Sequence, residues 1–154
     1  MNPDPASILV VEDDPNDALF IERALDGYER SHSIAIVPDG EAAMAYLTGT
    51  STRAEAERET LPVVILTDLK MPRMDGFDLL RWLRTEPRLN GVPVVVFTSS
   101  TSDRDVAEAF RLGARGYMVK PVHFEELEQT VRSVVEYWRR SLVPRTLSPR
   151  SSSS

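Results

Sequence analysis

Residues 63–84 read VVILTDLKMPRMDGFDLLRWLR, and their reading decides the fold. Val63-Val64-Ile65-Leu66-Thr67 is apolar without alternation, the pattern of a strand buried on both faces. It stops at Asp68. A loop follows, Leu69–Asp75, and Gly76 opens a helix to about Thr85 that carries Leu79, Leu80 and Leu83. One fully apolar strand running into one helix is the unit of an α/β fold.

The unit repeats in both directions. Upstream, Ser7–Val11 is a short apolar strand that stops at Glu12-Asp13-Asp14-Pro15. Asp14 suits an N-cap and Pro15 the first helical position. That helix carries Ala18, Leu19, Ile21, Ala24 and Leu25 and ends near Gly27; Ser33–Val37 then makes a second strand and Glu41–Leu47 a short helix. Downstream, Val94–Phe97 is a strand ending at Thr98, and Asp103 caps a helix through Val106, Ala109 and Phe110 that stops at Gly113. Arg115–Val119 is the fifth strand, ending at Lys120-Pro121. The last helix runs from about Phe124 to Leu142, with an apolar stripe of Leu127, Val131, Val134, Val135, Trp138 and Leu142. Residues 49–60, GTSTRAEAERET, read equally as a polar loop or a frayed helical insertion. Residues 141–154 are rich in Pro, Arg and Ser and are expected to form a disordered tail. Five apolar strands alternating with five helices predict a parallel sheet covered on both faces.

Composition narrows the function. The 154 residues suit one domain, and a 42% hydrophobic share fills one core. The net charge is −6, and residues 1–138 alone carry −10 because the only charged residues after Trp138 are four arginines. That balance argues against nucleic acid or an anionic membrane as partner. Zero cysteines exclude a disulfide scaffold, a thiolate zinc site and a cysteine nucleophile, and His32 and His123 are too few and too scattered for paired metal ligands. No apolar run reaches the roughly 18 residues of a membrane span. A soluble, cytoplasmic domain is expected.

In a parallel sheet, ligands bind at the carboxyl ends of the strands, near a topological switch point. Glu12, Asp13 and Asp14 follow the first strand, Asp68 the third, Thr98 and Ser99 the fourth and Lys120 the fifth. Each has a plain reading alone: Asp14 caps a helix, Asp13 and Asp68 make turns, Thr98 caps the next segment, and Lys120-Pro121 is a turn. Together they put every reactive type on one edge. Carboxylates gathered there need a cation, and oxygen ligands without His or Cys select a hard ion such as Mg²⁺. A carboxylate beside Mg²⁺ can attack a phosphoryl group, while a hydroxyl and an ammonium hold its remaining oxygens. The set suffices to make an aspartyl phosphate. His123 and Trp82 are expected to be structural or solvated.

ILVVEDDPND, LTDLKMPRMDGFDLLRWLR, VVVFTSS and GYMVKPV occur in the order and spacing of four family motifs, and residues 6 to about 140 resemble a response-regulator receiver domain (CheY-like) of two-component signalling. The resemblance implies a receiver domain over residues 1–140, with a flavodoxin-like doubly wound sheet of order 2-1-3-4-5 and five helices. It implies Asp68 as phosphoacceptor, Thr98 and Lys120 holding the phosphoryl group, and Thr98 with Tyr117 as the switch. It implies Mg²⁺ bound by Glu12, Asp13, Asp68 and the backbone carbonyl of Lys70, with Glu12 acting through water. A cis Lys120-Pro121 bond is expected as well. The stretch around 49–60 and the ending Glu136-Tyr137-Trp138 look like stand-alone regulators of phytochrome-type sensor histidine kinases.

The implied function is that of a single-domain response regulator in a phosphorelay. It would take a phosphoryl group from a kinase phosphohistidine and remodel the face made by the fourth helix, fifth strand and fifth helix. A signalling protein of this kind turns over only its own phosphoryl group. The chain carries no DNA-binding helix-turn-helix, so output is expected through protein contacts or a relay. An aspartyl-phosphate hydrolase would place an acid two residues after the nucleophile, where Lys70 stands. A partner-binding pseudo-receiver would lack the acceptor or the lysine, and both are present. Finally, Tyr137 lies about 100° around the helix from Trp138, so both rings cannot face the sheet, and a homodimer through this end is expected.

Overall fold

A computed structural model describes residues 6–26, 32–49 and 61–140. Strands β1 (Ala6–Val11), β2 (His32–Val37), β3 (Pro62–Thr67), β4 (Val94–Thr98) and β5 (Gly116–Val119) form one sheet. Every pairing is parallel, and the order is β2-β1-β3-β4-β5. Helices α1 (Pro15–Ala24), α2 (Gly40–Thr48), α3 (Gly76–Arg84), α4 (Asp103–Arg111) and α5 (Phe124–Arg140) complete the flavodoxin-like α/β fold.

The apolar strands divide their side chains between two cores, because successive residues point to opposite faces. Leu9, Val11, Ile65, Val94 and Val96 pack with Ala43 and Leu47 of α2, Leu79, Leu80 and Leu83 of α3 and Ala109 of α4. Ile8, Val10, Val64, Leu66, Val95 and Phe97 pack with Ile21 and Ala24 of α1 and Leu127, Val131 and Val135 of α5. Phe20 and Phe124 meet edge to face at 5.2 Å where α1 and α5 approach each other. Trp82 packs, half-buried, against the first core.

The chain reverses direction across the sheet between β1 and β3, since β2 lies on one side of β1 and β3 on the other. The hydrogen-bond ladder continues one residue past the strands at this edge. The Glu12 N–H donates to the Val37 carbonyl at 2.9 Å, the Asp68 N–H to that of Val11 at 3.1 Å and the Lys120 N–H to that of Thr98 at 2.8 Å. The strand-end residues are thus fixed by backbone bonds, not left to loop freedom.

Most helix starts follow the sequence, and one does not. Asp14 caps α1 by accepting from the N–H groups of Asn16 and Asp17, with Pro15 behind it. Asp75 and Asp78 form a reciprocal capping box on α3. In α4, however, Ser102 and not Asp103 is the cap, its hydroxyl accepting from the Asp105 N–H at 3.3 Å. The reason is upstream: the Ser102 N–H donates to the Ser100 hydroxyl at 3.2 Å, which holds Ser102 in the extended conformation a cap needs. The Lys120-Pro121 bond is trans, as no cis bond occurs among the described residues; trans is the intrinsically favoured isomer by about 0.5–1 kcal/mol. All but Gly49 of the expected insertion at 49–60, the tail at 141–154 and Leu142 lie outside the described residues.

Candidate functional site

Lys120 is the centre of the strand-end edge. Its ammonium donates to Asp17 Oδ2 and Asp68 Oδ2, both at 2.8 Å, and forms an ion pair with Glu12 Oε1 at 2.7 Å. Only 6% of the Lys120 side chain is exposed. Burial alone would pull its pKa down, but the three carboxylates outweigh it and hold the group above its usual value, so it is a fixed cation.

Glu12 lies deepest of the acids. Its Oε2 accepts from the Asp14 N–H at 3.1 Å. Burial pushes its carboxyl up to about 7, against the pull of Lys120 and of the Asp14 N–H. Asp68 is oriented from both sides: Oδ1 accepts from the Leu69 N–H at 2.6 Å while Oδ2 accepts from Lys120. Asp13 is exposed at the rim. Ligand oxygens of Glu12, Asp13 and Asp68 lie within 4.8 Å of one another. Three converging carboxylates with no nitrogen or sulfur donor make a donor set suited to a hard divalent cation.

Thr98 closes the opposite wall. It is 2% exposed, and its hydroxyl accepts from the Ser100 N–H at 3.3 Å. A cavity of about 440 Å³ is lined by Glu12, Asp13, Asp68, Lys70, Thr98 and Lys120. Tyr117 does not line it. It lies half-buried behind the same loop, donating its hydroxyl to the Ser100 carbonyl at 3.0 Å. His123 is exposed.

The β3–α3 loop gives the site its floor. The Gly76 N–H donates to the Leu69 carbonyl at 2.9 Å, folding the loop back onto the strand end, and the Gly40 N–H donates to the Met74 carbonyl at 2.8 Å. A Cβ on Gly76 would collide with the carbonyl oxygen of Asp68. Glycine is required there because two stretches of backbone touch.

Sequence reasoning missed Asp17. It sits in the first turn of α1, one helical turn beyond Asp13, and reaches Lys120 across 103 residues of chain. Its only sequence signal is an acid near a helix start, which the helix dipole already accounts for.

Residues 8–132 match the family described as response regulator receiver domain. The Probable methanogenesis regulatory protein FilR2 of Methanothrix harundinacea is 38% identical over 135 residues, 88% of this chain and 84% of that protein. Response regulator Rcp1 of Synechocystis is 34% identical over 134 residues, 87% of this chain and 89% of Rcp1. The crystal structure of its Mn²⁺-bound form superposes with a TM-score of 0.77 at 31% identity, covering 90% of this chain and 97% of that one. The phosphorylated cyanobacterial phytochrome response regulator RcpA superposes with a TM-score of 0.82 at 32% identity, over 91% of this chain and 99% of that one. In sequence, topology and the gathering of acids and lysine at one sheet edge, the chain belongs to the response regulator receiver domain family of two-component signalling, with a likeness that extends to stand-alone phytochrome response regulators.

Proposed function

We propose that residues 1–140 act as a phosphoacceptor switch in which Asp68 takes a phosphoryl group from a sensor histidine kinase, of phytochrome type by the likeness to Rcp1 and RcpA. The observation that carries the reading is the ion-pair cluster. Asp68, Glu12 and Lys120 come from three different strand ends and meet within 2.8 Å of one ammonium. An ionised Asp68 oxygen attacks phosphorus, the P–N bond of the phosphohistidine breaks, and its electron pair returns to the imidazole nitrogen. No proton has to be removed from the nucleophile. The Leu69 N–H and Lys120 hold Asp68 in place, and Lys120 then passes one donor to the new phosphoryl oxygens.

Glu12, Asp13, Asp68 and the carbonyl of Lys70 would hold Mg²⁺, which supplies charge neutralisation on the transferring phosphoryl oxygens. Thr98 supplies a hydroxyl from the facing wall. Because the Thr98 hydroxyl and the Tyr117 hydroxyl both bond to the backbone of Ser100, a movement of Thr98 toward the phosphoryl group pulls on the loop that Tyr117 holds. Output then passes through the α4–β5–α5 face, where Phe110, Val119 and Val122 are exposed. The protein turns over only its own phosphoryl group and acts in the cytoplasm, as a homodimer built on the end of α5 with its exposed Tyr137. No helix among the described residues is long and apolar enough to cross a membrane.

Incubation with a small phosphodonor and Mg²⁺ should add the mass of one phosphoryl group. Asp68→Asn should abolish the addition, and a chelator should suppress it in the wild type. Full labelling of Asp68→Asn would overturn the assignment.

A further inference from the structure

The Lys120 ammonium makes two hydrogen bonds, to Asp17 Oδ2 and Asp68 Oδ2, and an ion pair with Glu12 Oε1. Glu12 and Asp68 are strand-end acids. The third carboxylate, Asp17, is on α1 and is not one of the three acids whose oxygens converge as a cation site. Nor does it cap α1, a role Asp14 fills. We propose that Asp17 is a positioning residue for Lys120, fixing the direction of the donor that meets the phosphoryl group on Asp68. The inference rests on the reading of Asp68 as acceptor and deepens it.

The argument is geometric. A lysine head rotates freely on a four-carbon stem, so one acceptor fixes where it sits but not where its other donors point. With the ammonium seated against Glu12 by an ion pair and one donor held by Asp17, a second donor is directed at Asp68 Oδ2. When Asp68 carries a phosphoryl group, Lys120 exchanges one acceptor for another and keeps two anchors. Without Asp17 the head swings between Asp68, Glu12 and solvent on the side of Asp17, whose own side chain is 28% exposed. Orientation of a charged donor is what such a reaction depends on. What Asp17 supplies is an acceptor oxygen, not its charge.

The test compares wild type, Asp17→Ala and Asp17→Asn in the full chain with Mg²⁺ and acetyl phosphate, following the phosphorylation rate against donor concentration. Asn keeps a carbonyl acceptor and removes the charge; Ala removes both. Asp17→Ala should lower the saturating rate on the order of tenfold at a nearly unchanged half-saturating concentration, and Asp17→Asn should stay within about twofold of wild type. Equal changes in both variants, or a faster rate in both, would mean that charge alone matters and would overturn the proposal. An unchanged Asp17→Ala rate would overturn it as well. Melting of each variant without donor separates a folding defect, since restoration of rate by Asn at equal melting temperature is not expected of a purely structural contact. If the wild type were not labelled on Asp68 at all, the underlying reading would fail instead.

Discussion

Ser100 stands two residues beyond Thr98 and lines the same cavity as Asp68, and its hydroxyl is already engaged. It donates to Asp105 Oδ2 at 2.6 Å and accepts from the Ser102 N–H at 3.2 Å. Lys70, two residues beyond Asp68, is exposed and carries a cation. Neither side chain offers a carboxylate or carboxamide to orient an attacking water. Hydrolysis of the aspartyl phosphate should therefore be slow, and Ser100→Glu and Lys70→Asn should each speed it. Loss of label after removal of the donor measures this, and unchanged decay in both variants would refute it. At this scale the sequence is informative where the backbone sets position. Asp68 and Lys120 are legible because each follows a strand by one residue, and a parallel sheet brings strand ends to one edge. Asp17 is not legible in the same way. Its meeting with Lys120 depends on how α1 is rotated against β5, which α1 acquires only by packing on the second core.

The loop from Leu69 to Asp75 and helix α3 behave as one element. The capping box of Asp75 and Asp78 fixes the helix start, and the Gly76 N–H bond to Leu69 fixes the loop on the strand that carries Asp68. Arg73 takes a left-handed φ of 68°, a conformation that a non-glycine residue adopts at some cost and that the surrounding bonds hold in place. Gly76→Ala should destabilise the fold by about 1–3 kcal/mol, because the new methyl meets rigid backbone and cannot be absorbed by a side-chain rotation. It should also slow phosphorylation, since relief requires the loop to lift from Asp68. Gly116→Ala is the matched control: its Cβ would lie 3.5 Å from Val95 methyl groups, an ordinary contact. Thermal melts and phosphorylation rates of the two variants side by side check this, and equal behaviour would overturn it. Caps were legible where one residue type could serve, as at Asp14. They were ambiguous at Ser102-Asp103, where both residues can cap and a bond to Ser100 decides.

For the whole molecule, the parallel sheet and its two cores follow from apolar runs whose alternate residues serve opposite faces. The strand order β2-β1-β3-β4-β5, by contrast, is implied only by the resemblance to receiver domains, because pairing between distant strands leaves no mark in any one run. The far end of α5 is different, because it carries two adjacent aromatic rings that cannot both face the sheet. Trp138 packs half-buried against the second core, whereas Tyr137 is 64% exposed, its ring meeting that of Trp138 edge to face at 5.1 Å. Burial of a large apolar side chain contributes about 1.5–3 kcal/mol, and a second copy packed on the same surface would gain it twice, since a twofold contact presents the same residue from each side. Mass in solution is the measurement that reads such association. Sedimentation of the wild type should show a dimer at micromolar concentration, and Tyr137→Ser should raise the dissociation constant by about tenfold or more, the equivalent of 1.4 kcal/mol or above. Tyr137 is the cleaner position to change, because Trp138→Ser would also remove contacts from the monomer core. A wild type that sediments as a monomer both with and without beryllofluoride as phosphoryl mimic would end the homodimer reading. It would leave Tyr137 as a rim residue whose ring is held by Trp138 within one chain.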